Sequence, residues 1–207
     1  FKTNDYYTNI IIATPIVNLY DHIKICLTKF KNLDSILIEK PGCLYLNQIE
    51  EIIKLKKSVK ILVAYNRRFY SSILKAKEII KNDKVVNMEL CIDEYQLEEI
   101  SKMYDNELMQ NYCTIMTSHV IDAAFDMIGK PKELNCKIDG ENLLSYHKSG
   151  CFFTGNGISQ NNIKFNYHGD WSKSGKWKID LFLESGKRLS FQPLEDLKII
   201  NFDNTVE

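Results

Sequence analysis

The chain is poor in arginine, glycine and proline, and neither sign of charge is in excess. Of its 207 residues, three are arginine (Arg67, Arg68, Arg188), nine glycine and four proline; Lys+Arg and Asp+Glu both number 27, so the formal net charge is zero. No basic surplus is available for a nucleic-acid backbone or an anionic membrane. Six cysteines stand at 26, 43, 91, 113, 136 and 151 without a C-x-x-C pair. That scatter argues against a zinc site or a disulfide framework and for buried free thiols in a reducing compartment, so no metal is expected. No apolar run approaches the roughly 18 residues of a membrane-spanning helix, and no signal peptide is visible. The expectation is a soluble, cytoplasmic protein without nucleic-acid or membrane partners. A dinucleotide fingerprint is lacking as well. Gly155-Asn156-Gly157 is a G-x-G without its third glycine, in a strand-rich stretch.

What is present alternates strand and helix in the first third. Continuous apolar runs at Ile10 to Ala13, Ile36 to Ile38 and Ile61 to Ala64 read as buried parallel strands. Between them lie helical spacings: Ile23, Leu27 and Phe30 in a helix over 20–30, then Ile49, Ile52 and Ile53 in a helix ending near Ser58. Asn47 with Glu50 resembles a capping box. Helix Ser71 to Lys81 follows, then strand Val85 to Asp93, and a polar stretch over 94–111 with no clear period. Thr117 to Ile128 is an apolar-faced helix closed by Gly129 before Pro131. Alternating strands dominate thereafter, with Glu184-Ser185-Gly186-Lys187 as a hairpin turn. The fold class expected is α/β plus α+β: a partial Rossmann-type parallel sheet, residues 1–68, then a mostly antiparallel open-sheet domain with flanking helices, residues 69–207. The chain starts at Phe1 and enters a strand almost at once, as an α/β domain beginning in mid-pattern would.

Few residues stand out for chemistry. Lys40, in Glu39-Lys40-Pro41 at a strand end, is either a cation placed to polarise a substrate oxygen or a turn lysine paired with Glu39. His119 opens the apolar helix with Asp122 one turn on. It is either a proton donor and acceptor near neutral pH or a histidine packed between helix and sheet. The His119–Asp122 pair lacks a third ligand for zinc. Arg67 and Arg68 follow a buried strand, where a guanidinium can bind a carboxylate or phosphate of a substrate or pair with an acidic side chain. His22 means little alone. Trp171, Trp177, Phe182 and Phe191 read as core or interface aromatics.

Ile12-Ala13-Thr14-Pro15, His22, Glu39-Lys40-Pro41, Asn66-Arg67-Arg68-Phe69, Ser118-His119-Val120-Ile121-Asp122 with Gly129, and Gln192-Pro193-Leu194-Glu195 follow one another in an order that resembles the Gfo/Idh/MocA oxidoreductases. The resemblance implies a Rossmann domain for NAD or NADP and an α+β domain whose open sheet makes homo-oligomer contacts. It implies Lys40 near the nicotinamide and the reacting hydroxyl, and His119 in the proton-transfer machinery of the substrate site. Thr14, Pro15, His22, Glu39, Lys40 and Asn66 would line the cofactor side, and Arg67, Arg68 and Asp122 the substrate. Two departures stand out. The glycine-rich unit that opens such a Rossmann domain is absent, since the sequence starts near what would be its fourth strand, so cofactor binding by these residues alone is expected to be impaired. Ile115 occupies the position where the family often has an aspartate, and Asn111-Tyr112-Cys113 replace its usual glycines. The function expected is NAD(P)-dependent hydride transfer at a sugar, nucleotide-sugar or polyol hydroxyl. The alternative is a non-catalytic relative that binds a sugar-like ligand or a partner. The exposed face of the C-terminal sheet, with some of Trp171, Trp177 and Phe182, is expected to bury itself against a second copy.

Overall fold

In the computed structural model, which describes residues 7–94 and 97–206, the three apolar runs near the start form a parallel sheet. Strands β1 (Asn9–Ile12), β2 (Ser35–Ile38) and β3 (Lys60–Val63) lie side by side in that order, with Ile12 opposite Ile38 and Ile38 opposite Val63. Burial of β-branched side chains holds them: Ile12, Ile36 and Ile38 pack with Leu19, Ile23 and Cys26 of helix α1 (Ile16–Lys29) and Ile52 of helix α2 (Leu46–Leu55). Helix α1 starts four residues earlier than Tyr20. Pro15 caps it at φ −52°, and the Asn18 N–H bonds to the Pro15 carbonyl at 2.9 Å. A proline at a helix entrance loses no helical hydrogen bond, so it opens the helix instead of separating it from the strand. The cap of α2 is also shifted. Because the helix begins at Leu46, the third position is Gln48, whose side-chain oxygen accepts the Leu44 and Tyr45 N–H groups at 3.0 and 3.2 Å.

The chain divides into two compact units, residues 1–65 and 66–207. The division falls three residues before the boundary expected at 68, because Arg67 and Arg68 are anchored within the second unit, as described below. That unit contains helix α3 (Ser71–Ile80), strand β4 (Val85–Ile92), short helices α4 (Leu97–Ser101) and α5 (Asn106–Gln110), and helix α6 (Ser118–Ile128). Six strands follow: β5 (Pro131–Asp139), β6 (Phe152–Ser159), β7 (Lys164–Asp170), β8 (Trp177–Leu183), β9 (Arg188–Phe191) and β10 (Leu197–Ile200). They form a seven-stranded sheet in the order β10-β9-β8-β4-β7-β6-β5, antiparallel except for the β4–β7 pair. The architecture is thus a partial parallel sheet followed by a mostly antiparallel open sheet with flanking helices.

Strand alternation sorts the second sheet into two faces. Met88, Leu90, Ile92, Phe165, Ile179 and Leu181 point to the core that Val120, Ala123, Ala124 and Met127 of α6 complete. Gly129 ends α6 at φ +86°, a conformation that glycine alone takes at little cost. The alternate positions, among them Glu89, Cys91, Lys178, Asp180 and Phe182, belong to the opposite face. Trp171 and Trp177 do not. Trp171 is 2% exposed and donates its indole N–H to the Ile92 carbonyl at 2.9 Å, while Trp177 pairs with Ile92 and shares its side of the sheet. Of the three aromatics considered for the open face, only Phe182 lies on it; the two tryptophans take the core alternative of their reading. The cysteines also differ from the expectation of general burial: Cys136 is exposed, and Cys91 and Cys113 are partly exposed. Among the described residues, no helix is long and apolar enough to cross a membrane.

Candidate functional site

In the first unit, the residues expected to serve chemistry gather at the carboxyl edge of the parallel sheet. The Glu39 N–H bonds to the Ile12 carbonyl at 2.9 Å, and the Ala64 N–H to the Ile38 carbonyl at 2.8 Å, so the ends of β1, β2 and β3 stay in register. Thr14, just beyond β1, is hydrogen-bonded through Oγ1 to His22 Nδ1 of α1 at 2.9 Å. That bond gives His22 a local task, tying the helix to the strand end. The Glu39 carboxylate accepts the Lys40 main-chain N–H at 3.1 Å. Lys40 is half-buried, Pro15 and Glu39 are exposed, and the Lys40–Pro41 peptide is cis. Gly42, at φ +84°, completes this turn in a conformation a side chain would strain.

In the second unit, a single 3₁₀ turn, Asn66–Phe69, carries the arginine pair. The two arginines have different fates. Arg68 spreads its fork over α6: Nε donates to Asp122 Oδ2 at 2.6 Å, a second nitrogen donates to Asp122 Oδ1, and a third to Asp126 at 3.1 Å. Lys77 of α3 donates to the other Asp126 oxygen. Arg68 and Asp122, both expected against substrate, are thus committed to each other. A fixed guanidinium fork matches a carboxylate bidentately, whether a ligand or the protein supplies it. Arg67 instead lies over the Trp177 ring, 4.7 Å from its centroid, with Tyr70 at 5.7 Å. Asn66 is exposed.

Arg67 and Trp177 line a cavity of about 200 Å³ together with Glu94, Leu194 and Glu195. Glu94, two residues beyond the end of β4 and next to Asp93, is 6% exposed. Its Oε1 accepts the Thr117 hydroxyl at 2.5 Å and the Trp177 indole N–H at 2.9 Å. Burial pushes the carboxyl up to about 7, although these two donors and the Arg67 guanidinium pull the other way. A group of this kind can hold or release a proton near neutral pH. His119, two residues beyond Thr117, is 8% exposed in the first turn of α6, and Ile115 is 6% exposed in the π-helical turn Cys113–Thr117 that leads into it. Sequence reasoning missed Glu94. The available signal was an acidic residue directly after a buried strand, next to a stretch with no readable period. The Gln192-Pro193-Leu194-Glu195 segment supplies part of the cavity wall, anchored where Ser72 Oγ donates to the Leu194 carbonyl at 2.6 Å. Gly155 and Gly157 serve packing: an added Cβ would sit 2.2 Å from the Tyr167 ring and 2.0 Å from the Glu133 carbonyl oxygen, respectively.

No protein-family model matches the chain. An uncharacterized oxidoreductase of Schizosaccharomyces pombe is 30% identical over 117 residues, which is 53% of this chain and 31% of that protein. Among solved structures, a super-repressor mutant of Gal80p from Saccharomyces cerevisiae superposes with a TM-score of 0.77 at 17% identity, over 99% of this chain and 60% of its own. UDP-N-acetylglucosamine 3-dehydrogenase GnnA from Acidithiobacillus ferrooxidans does so with a TM-score of 0.68 at 12% identity, over 97% of this chain and 62% of its own. The chain therefore spans about a third of the curated relative and about three-fifths of these two structures. Its two sheets and their helices have the fold of the Gfo/Idh/MocA-type dehydrogenases.

Proposed function

We propose that this chain serves an NAD(P)-dependent oxidoreductase that transfers hydride at a hydroxyl of a sugar, nucleotide sugar or polyol. The observation that carries the reading is the carboxyl edge of the parallel sheet, where Thr14 and the Glu39-Lys40-Pro41 turn lie at the ends of neighbouring strands. Open α/β sheets bind ligands at that edge. The similarity to named oxidoreductases and dehydrogenases supports the same reading. Thr14, Pro15, Glu39 and Lys40 fit the nicotinamide end of a dinucleotide. The described residues include no glycine-rich strand–turn–helix to cradle a pyrophosphate. When bound, the nicotinamide supplies the hydride chemistry. In the first unit Lys40 then offers a cationic donor to a reacting oxygen; in the second, His119 is our candidate for proton exchange. Ile115 cannot relay a proton, and we assign that proton-holding role to Glu94 of the same unit.

A second reading has its own support. Ile115 is buried and apolar at a position that is often acidic in this family, and Gal80p, described as a transcriptional regulator, shares the fold. In that reading the chain binds a sugar-like ligand or a partner without turnover. One experiment separates the two. The full-length protein is titrated with NADH and NADPH and then assayed against a panel of sugars, nucleotide sugars and polyols. Turnover that falls by about a hundredfold or more in Lys40→Ala, with nicotinamide binding retained, supports the enzyme. Failure to bind either nicotinamide removes it. We also place a contact with a second copy on the open face, through Phe182 in place of the two tryptophans. A monomer by light scattering at micromolar concentration removes that contact.

A further inference from the structure

Strands β4 and β7 run parallel, and their register sets Cys91 beside His168 on the face opposite α6. Asp93, two residues beyond Cys91, joins them. One donor atom from each of the three lies within 4.8 Å of the others. Around a zinc ion, with bonds of roughly 2.0–2.3 Å, such donors stand about 3–4 Å apart, so modest side-chain rotation closes the set. His168 is exposed and has that freedom.

We propose that Cys91, Asp93 and His168 form a divalent metal site on the open face of the second sheet, with zinc the ion that suits one thiolate, one imidazole and one carboxylate. Three features support a built site. Asp93 is held in place, since its Oδ1 accepts the Asp170 N–H at 2.8 Å. The loop closes directly on this carboxylate at Gly175, where an added Cβ would lie 2.1 Å from Asp93 Cβ. A cavity of about 520 Å³ opens beside the three donors, leaving room for water or another ligand at the fourth position. Lys178 also borders this cavity, but its charge is engaged by Asp180 at 2.7 Å; Lys176, at the rim, is exposed. Burial raises the Cys91 thiol above its ordinary value, so without metal the residue is a neutral thiol; on coordination its proton passes to solvent. Asp93 borders the Glu94 cavity as well, whereas Cys91 and His168 do not, and the metal site does not depend on the proposed oxidoreductase activity.

Cobalt(II) replaces zinc as a spectroscopic probe. Titration of the purified, reduced chain should give a thiolate-to-cobalt charge-transfer band that saturates stoichiometrically and is displaced by zinc. The band should vanish in Cys91→Ser. His168→Ala, which truncates an exposed side chain and leaves the fold intact, should lower affinity by about tenfold or more, the range reached even by groups that only support a metal ligand. Cys136→Ser, at the exposed cysteine, should change nothing. Absence of the band in the native chain, its survival in Cys91→Ser, or its loss in Cys136→Ser would each overturn the site.

Discussion

Replacing Glu94 by glutamine should make the second unit more stable at alkaline than at acidic pH relative to the native chain. Glutamine keeps an oxygen to accept from Thr117 and Trp177 and removes the charge. In the unfolded chain the carboxyl titrates near its ordinary 4.5, whereas in the folded chain burial raises it to about 7. Below 4.5 both states hold the proton and the shift contributes nothing. Between the two values the folded state keeps a proton that the unfolded state has released, so stability falls as pH rises. Above 7 the loss is complete, at roughly 3 kcal/mol from about 1.4 kcal/mol per pH unit. Between pH 5 and pH 8 the native chain should lose roughly 2.5 kcal/mol that Glu94→Gln does not. Other titrating groups act equally on both proteins and cancel. Both tryptophans, 171 and 177, lie in the second unit, so their fluorescence follows its unfolding without interference from the first. With a urea slope of about 1–3 kcal/mol per molar, the difference between the two midpoints should change by about 1–2.5 M across that pH range. A difference that stays constant from acid to alkaline pH would refute a raised carboxyl, and with it the proton-holding role given to Glu94.

Arg68→Ala should destabilise the second unit by about 1–2 kcal/mol, since it strips a two-pronged partner from Asp122, while the partial exposure of the guanidinium limits the loss. Arg68→Lys should recover only part of it, because an ammonium cannot reproduce the fork. Unchanged urea midpoints in Arg68→Ala, with a raised KM, would return Arg68 to the substrate. Gly157→Ala should cost about 1–3 kcal/mol or more, because its Cβ would press on the Glu133 carbonyl and come within 2.7 Å of Phe165. Nicotinamide binding in the full-length protein should be unaffected, and a loss of binding at unchanged stability would reopen the G-x-G as a ligand loop.

Much of the fold was legible where the signal is local. Ile10 to Ile12, Ile36 to Ile38 and Ile61 to Val63 are uninterrupted apolar runs and do form parallel strands, but the burial expected of them holds for one face only: Ile12, Ile36 and Ile38 are buried, while Ile11 is 74% and Leu62 60% exposed. The α6 face of Val120, Ala123, Ala124 and Met127, the glycine that ends it and the turn over 184–187 follow from periods and backbone preferences contained in a few consecutive residues. The stretch over 94–111 was not legible, since helices as short as Leu97–Ser101 and Asn106–Gln110 are too brief to express a period. The candidate site divides along the same line. Position alone put Lys40 at a strand end and His119 at a helix start. The sequence could not say that Arg68 closes on Asp122 while the adjacent Arg67 lies over Trp177. Nor could it say that Glu94 is buried under Thr117 and Trp177, or that Cys91 stands beside His168 across a parallel pair. Each of these is a meeting of side chains dozens of residues apart, and only packing and strand register determine which distant groups share a surface, lose their water and shift their proton affinity.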